Sequence, residues 1–277
     1  MSKIIVITGA SDGIGAAAAR QLHADGHTVV VVGRSPDKTR RVADSIGAEH
    51  FVADFTELTT VRELAASLQQ RYPRIDVLAS NAGGVFGSRD KTVDGFEKTF
   101  QVNHLAPFLL TNLLLPTLLK SHASVIQTAS IAARLYGKLD IDDLNNDRRY
   151  SANKAYGDSK LENILFTREL DARYRTQGIS AVAFHPGIVG SGFAAETTSR
   201  AMRLMYGNPL VKPFLKSTHQ GADQLIWLSA TSPGKTWEPG NYYEKRKIAT
   251  RVNLQSNDAH LARQLWEKSE ALLDIQS

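Results

Sequence analysis

The sequence predicts one α/β domain, a doubly wound parallel sheet with helices on both faces. Three observations predict it. Short continuous apolar runs rich in β-branched residues recur along the chain, beginning with IIVI at 4–7 and VVVV at 29–32, and such runs mark strands buried on both faces of a parallel sheet. Segments of helical spacing lie between them, as crossovers between parallel strands require. The first run enters its helix through a glycine-rich turn, Thr8-Gly9-Ala10-Ser11-Asp12-Gly13-Ile14-Gly15.

The remaining elements follow in order. An alanine-rich helix over 13–25 ends near Gly26, a residue suited to a helix C-terminus. A third strand over 49–53 leads to Asp54 and Phe55. The helix over 57–71 sets Val61, Leu64, Ala65 and Leu68 on one face. A strand over 75–80 runs into Asn81-Ala82-Gly83. Residues 94–100 read as helical and 103–120 as a long apolar helix, whose apolar stretch falls short of the ~20 residues of a membrane span; it is expected to be buried. A strand over 123–128 ends at Ser130, and the polar stretch 131–151 reads as a surface loop. A long helix covers 153–176, a strand 179–184, then His185-Pro186-Gly187. Residues 190–217 hold Met202, Met205 and Phe214 in an irregular setting and are expected to form a small substrate lid. A helix over 219–230, a strand at 241–243 and a closing helix over 258–273 complete the chain. No repeat or linker divides it, so 1–277 reads as a single domain.

Composition narrows the function. There is no cysteine among the 277 residues, which removes disulfides, thiolate metal sites and cysteine nucleophiles. Asp140, Asp142 and Asp143 lack the spacing of a calcium loop, and no metal is expected. The net charge of +5 arises from 33 basic and 28 acidic residues spread along the chain. Its densest basic cluster, Lys245-Arg246-Lys247, is too short for a nucleic-acid arm. A site for a phosphorylated small molecule fits the charge better. The N-terminal apolar run has the wrong length and flank for a leader, and a cytoplasmic protein is expected.

The glycine turn has a physical job. Gly9 permits the tight exit from the strand, while Gly13 and Gly15 let a phosphate approach the helix N-terminus, where free N–H groups and the dipole favour negative charge. Ser11, Asp12 and Ile14 belong to the same cradle. Within a strand–turn–helix–strand unit this pattern points to a dinucleotide. An acid at the end of the second strand would bind the ribose 2′-hydroxyl of NAD. Here stand Gly33-Arg34-Ser35, with Lys38 and Arg41 beyond. A cation and a hydroxyl suit a 2′-phosphate, so NADP(H) is favoured over NAD(H); the other reading of Arg34 is a solvated loop residue. Asp54 either bonds the adenine amine or caps the following helix.

Tyr156 and Lys160 lie four apart in a predicted helix and so share a face. An ammonium beside a phenol favours its phenolate and makes the tyrosine a usable proton donor or acceptor. Alone, this spacing is equally that of a solvated helix face. Asn81-Ala82-Gly83, Ser130 and His185-Pro186-Gly187 all follow predicted strand ends, where open parallel sheets bind ligands.

With these motifs the chain resembles the short-chain dehydrogenase/reductase family. The matching residues are the Thr8–Gly15 turn, Asn81-Ala82-Gly83, Asn103, Ser130, Tyr156-Gly157-Asp158-Ser159-Lys160 and Pro186-Gly187. Asp94-Gly95-Phe96-Glu97, Val102-Asn103-His104-Leu105 and the run from Ser159 to Leu170 are similar to the retinol-dehydrogenase-like branch. The resemblance implies a Rossmann fold and a role for each residue. Tyr156 would be the general acid or base. Lys160 would support it and hold the nicotinamide ribose. Ser130 would bond the substrate oxygen, and Asn103 would position the lysine through a helix irregularity and water. Asn81, Ala82 and Gly83 would line the cofactor cleft, with Pro186, Gly187, Ile188 and Ser191 beside the nicotinamide. Singly, Ser130 also reads as a turn residue and Asn103 as a helix cap. The expected reaction is hydride transfer between NADP(H) and a hydrophobic alcohol or carbonyl compound. The alternatives are C=C reduction on the same fold or a non-catalytic NADP(H) sensor. Dimers or tetramers are the family's usual assemblies.

Overall fold

The computed structural model describes residues 2–189 and 216–275. Its strands are β1 (Ile4–Thr8), β2 (Thr28–Gly33), β3 (Glu49–Val52), β4 (Val77–Ser80), β5 (Ser124–Thr128), β6 (Ser180–His185), β7 (Tyr242–Glu244) and β8 (Lys247–Ile248). They form one sheet in the order β3-β2-β1-β4-β5-β6-β7-β8. Every neighbouring pair is parallel except the β7–β8 hairpin. The winding reverses between β1 and β4, and a doubly wound sheet opens its ligand crevice at such a point.

The apolar runs are continuous because both faces are covered. Val6, Val30, Leu78, Val125 and Ala181 bury into one core; Ile5, Val29, Val77, Ile126 and Val182, one residue out of phase, bury into the other. The first core is closed by α3 (Leu58–Arg71), α5 (Ala106–Lys120), α7 (Ala152–Tyr174) and α9 (Ala259–Leu272). The second is closed by α1 (Gly13–Ala24), α2 (Pro36–Asp44) and α8 (Thr218–Ala230).

A short helix α4 (Lys98–Phe100) passes through a π-helical turn, Gln101–Leu105, into α5. The continuous run Lys98–Lys120 is therefore 23 residues, longer than the sequence suggests, and is long and apolar enough to cross a membrane by length and composition. Of its most apolar window, 67% is buried inside the fold.

Three further expectations need correction. Helix α2 was not foreseen; Ser35 caps it and Pro36 opens it, a start signal of the usual kind. Residues 94–97 are not helical. Gly95 takes a left-handed φ of 88°, and Glu97 caps the helix by accepting from the Thr99 and Phe100 N–H groups. Asp94 instead reaches across the fold and accepts from Leu58 N at 2.9 Å and from Gln101 Nε2 at 2.8 Å. It thus caps α3, whose own preceding residue, Glu57, makes no side-chain cap. The 131–151 stretch is more than a surface loop. It contains α6 (Ala132–Leu135) and buries Leu139, Leu144 and Asn146, with Asn253 Nδ2 donating to the carbonyls of Ala133 and Gly137. The basic cluster Lys245-Arg246-Lys247 falls at the β7–β8 hairpin, where Arg246 pairs with both carboxylate oxygens of Asp223.

Because Asp94 supplies the side-chain cap to Leu58 N, Asp94→Ala is expected to cost about 1–2 kcal/mol. A thermal melt should record this as a fall of roughly 2–8 °C; an unchanged melt would mean that α3 does not depend on this cap.

Candidate active site

The turn after β1 is built by close approach. Gly9 has φ of 65°, and a Cβ there would lie 2.7 Å from the Ala82 Cα, so the turn is pressed against the segment leaving β4. Thr8 and Asn81 fasten the two together. Thr8 Oγ1 accepts from the Asn81 and Ala82 N–H groups, each at 3.0 Å, and Asn81 Nδ2 donates to the Thr8 carbonyl at 3.1 Å. Gly15 has a different job from the one the sequence suggests. A Cβ on it would meet the Gly9 carbonyl at 2.4 Å, so its missing side chain seats α1 on the turn, and Gly15 does not line the cavity.

That cavity measures about 700 Å³, within the usual range for ligand sites. From the β1–β2 side it is lined by Gly9, Ser11, Asp12, Gly13 and Ile14, then by Arg34, Ser35 and Lys38. Phe55, Asn81, Ala82 and Gly83 line its middle. Ser130, Tyr156 and Lys160 line the β5 side, and Pro186, Gly187 and Ile188 follow β6. Ser191 lies outside the described residues, as do positions 190–215 of the expected lid. Asp54 and Asn103 do not line the cavity. The Asp54 carboxylate accepts from Thr56 N and Oγ1, both at 2.9 Å, in a local turn ahead of α3, whose cap comes from Asp94 instead. Among the other lining residues, Val85, Phe86, Tyr136 and Asn153 went unassigned in the sequence, while His185 lines the cavity with the strand-end cluster to which the sequence assigned it. Their common signal, a place just after a strand or before the Tyr156 helix, is too weak to select them.

Lys160 is 2% exposed. Its Nζ donates to the Thr128 carbonyl at 3.0 Å and lies 5.6 Å from the Tyr156 ring centroid. Burial pulls this ammonium down from the ordinary lysine range to about 7. Gly83 is what admits it: a Cβ there would be 3.3 Å from Lys160 Nζ and 2.7 Å from Asn103 Oδ1. Asn103 sits within the π-helical turn, a helix irregularity of the kind that frequents functional sites. Its amide is engaged, exchanging bonds with Gly84 N at 2.9 Å and Gly84 O at 3.0 Å and donating to Ser159 Oγ at 3.0 Å. Ser130 Oγ accepts from Ala132 N at 3.2 Å, which leaves its hydroxyl hydrogen for a ligand. His185 is held neutral: burial, reinforced by Lys216 and Arg134, pushes it down to about 4.

The opposite end carries charge. Asp12 caps α1 through Gly13 N at 2.7 Å, a bond that holds its carboxyl below the usual range, and pairs with Lys38 at 3.3 Å. With Arg34 beside them, and with Ser11, Gly13 and Ile14 on the cavity wall at the start of α1, the donor set fits a phosphorylated dinucleotide.

The sequence model described as short chain dehydrogenase matches residues 3–201. The chain belongs to the short-chain dehydrogenase family, as an oxidoreductase of its retinol-dehydrogenase-like branch. It is 45% identical over 97% of its length, and 92% of the relative's, to the "Putative daunorubicin C-13 ketoreductase DnrU" of Streptomyces sp. (strain C5). Retinol dehydrogenase 12 of Mus musculus is 36% identical over 99% of this chain and 87% of its own. Among solved structures, an uncharacterized protein from Mycobacterium paratuberculosis superposes with a TM-score of 0.78 at 32% identity, covering 98% of this chain and 93% of that one.

A buried ammonium costs stability. Below pH 7 Lys160 is charged in the folded and unfolded chains alike, and the folded state bears the full desolvation cost. Between about 7 and the ordinary lysine value the folded chain releases the proton first, so this contribution to stability rises with pH. Lys160→Met is therefore expected to raise the cofactor-free melting temperature by several degrees at pH 6–7, with the gain shrinking toward pH 10. A lower melting temperature at pH 6–7 would contradict the desolvated ammonium.

Proposed function

We propose that this protein is an NADP(H)-dependent oxidoreductase that interconverts a hydrophobic alcohol and its carbonyl compound, with Tyr156 as the proton-transfer group. The observation that carries the reading is that Ser130, Tyr156 and Lys160 share one cavity with the Gly9–Gly13 turn and Arg34. Relatives named as a ketoreductase and a retinol dehydrogenase support the reaction class.

Bound NADP(H) would supply or accept the hydride. The protein's part is electrostatic and geometric. Ser130 Oγ donates to the substrate oxygen as negative charge develops there. Tyr156 gives that oxygen its proton in reduction and takes it back in oxidation. Lys160, charged and 5.6 Å from the phenol ring, favours the phenolate. Asn103 is a positioning residue, tying Gly84 to Ser159 on the helix that carries Tyr156 and Lys160. Arg34, Ser35 and Lys38 would hold the cofactor's 2′-phosphate. The preference for an apolar substrate is supported by Leu135, Tyr136 and Ile188, which line the cavity yet are 56%, 45% and 46% exposed; large apolar groups left open to water beside a cavity favour an apolar ligand.

Tyr156→Phe is expected to lower kcat by about 10²–10⁴-fold in an NADPH-dependent carbonyl reduction assay, with NADPH binding retained. Near-normal turnover would remove Tyr156 from the chemistry. Arg34→Asp is expected to shift the ratio of kcat/KM for NADPH over NADH toward NADH by about tenfold or more. An unchanged ratio would assign cofactor choice to other residues.

A further inference from the structure

The cavity wall holds two polar side chains that the chemistry above does not use. Among the described lining residues, Asn153 and His185 each have a side-chain polar atom buried with no hydrogen-bond partner, Oδ1 of Asn153 and Nδ1 of His185. Neither side chain is sealed as a whole, since both residues are half-buried. The second polar atom of each, Asn153 Nδ2 and His185 Nε2, makes no bond to the described chain and stays open.

The two come from different elements and stand on two sides of the proton-transfer group. Asn153 precedes Tyr156 by three residues on α7, so both lie on one helix face. His185 ends β6. Phe184 before it buries into the second core and Ala183 into the first, so alternation turns the imidazole to the first-core face, which α7 covers. Ala129 N donates to the Phe184 carbonyl at 2.8 Å, which sets His185 abreast of the segment entering Ser130. Neighbouring strands stand about 4.8 Å apart, a distance that a molecule held at Ser130 spans within a few bonds.

Both side chains present donors. A neutral imidazole carries one N–H. With Nδ1 buried against no acceptor, the proton belongs on Nε2, the nitrogen that a ligand or water can reach. Asn153 likewise has its oxygen sealed and its NH2 open. The ring is neutral because burial, then Lys216 and Arg134, hold it at about 4. Glu244, its register partner on β7, accepts from the Tyr242 hydroxyl at 3.2 Å. Neither Lys216 nor Arg134 lines the cavity, so the two donors suit an uncharged oxygen rather than a carboxylate. Around them the wall is apolar, with Ala132, Leu135, Ile188 and Val189.

We propose that Asn153 and His185 are specificity-determining residues that donate hydrogen bonds to a second, uncharged oxygen of the substrate, one that does not react. The preferred substrates are then apolar carbonyl compounds carrying a further hydroxyl or carbonyl group. This rests on the reading of Ser130 and Tyr156 as the reacting end of the cavity. A substrate without the second oxygen leaves the donors unpaired once water is displaced, and is turned over less efficiently.

The test measures kcat/KM with NADPH for matched pairs of hydrophobic ketones, one member of each pair bearing an added hydroxyl or carbonyl on a nearby carbon. The wild type should favour the oxygenated member of at least one pair by about tenfold. His185→Phe, which keeps a ring and removes the donor, and Asn153→Leu should each lower that ratio by about three- to tenfold. His185→Gln, which keeps an N–H at similar reach, should retain it. If His185→Phe does not fold, Asn153→Leu and His185→Gln carry the measurement. A wild type with no preference in any pair, or a ratio unchanged in Asn153→Leu and His185→Phe, overturns the proposal. Weaker NADPH binding with an equal loss on both members of every pair would assign the donors to the cofactor and overturn it as well. Near-normal turnover by Tyr156→Phe, or no turnover of any pair by the wild type, would instead overturn the reading of the site.

Discussion

A lysine ammonium 2% exposed, resting on one backbone carbonyl at 3.0 Å, is the constraint around which this molecule is arranged. Desolvation makes that charge costly, and the surroundings are shaped to keep it in one place. Residue 83 must lack a side chain so that the chain leaving β4 can pass Lys160 and Asn103. Asn103, in the π-helical turn, ties that chain to Ser159, whose hydroxyl bonds the Tyr156 carbonyl one turn back. Thr128 ends β5 at the level where α7 can reach its carbonyl. The site is therefore a consequence of where β4, β5 and α7 stop and start.

The same economy governs the other end of the cavity. Thr8 and Asn81 join the exits of β1 and β4, on either side of the point where the sheet winding reverses. Through Gly9 and Gly15 the turn is held so tightly that the start of α1 becomes part of the cavity wall. Asp12 and Lys38 pair there, and Arg34 lies on the same wall.

What the sequence discloses follows the range of each interaction. Strands buried on both faces announce themselves as continuous β-branched runs, and the sheet has a strand at each of the predicted runs. The turn, the Asn81-Ala82-Gly83 segment, Ser130, Tyr156 and Lys160 were legible because each sits at a strand end or on one helix face, and all of them meet on one cavity. What escaped depends on partners distant in sequence. Asp94 looks like a helical residue until its partner, Leu58 N, is known. Gly15 looks like a phosphate contact until the Gly9 carbonyl is found in its place. The stretch 131–151 looks solvated because its cover, Asn253, comes more than a hundred residues later. Asp54 reads as a cap for α3 until its carboxylate is found on Thr56 and the cap on Asp94.

The central claim is that this cavity moves a hydride between a nicotinamide and a carbonyl carbon, with Tyr156 handling the proton. It is tested most directly by incubating the protein with NADPH deuterated at the transferring position and a panel of hydrophobic ketones, aldehydes and enones, then locating the label by NMR. The account predicts deuterium on the carbinol carbon of an alcohol product. Deuterium on the β-carbon of a saturated product that retains its carbonyl would make the protein an alkene reductase. Tight NADPH binding with no label transferred across the panel would make it a sensor, and either result would contradict the account.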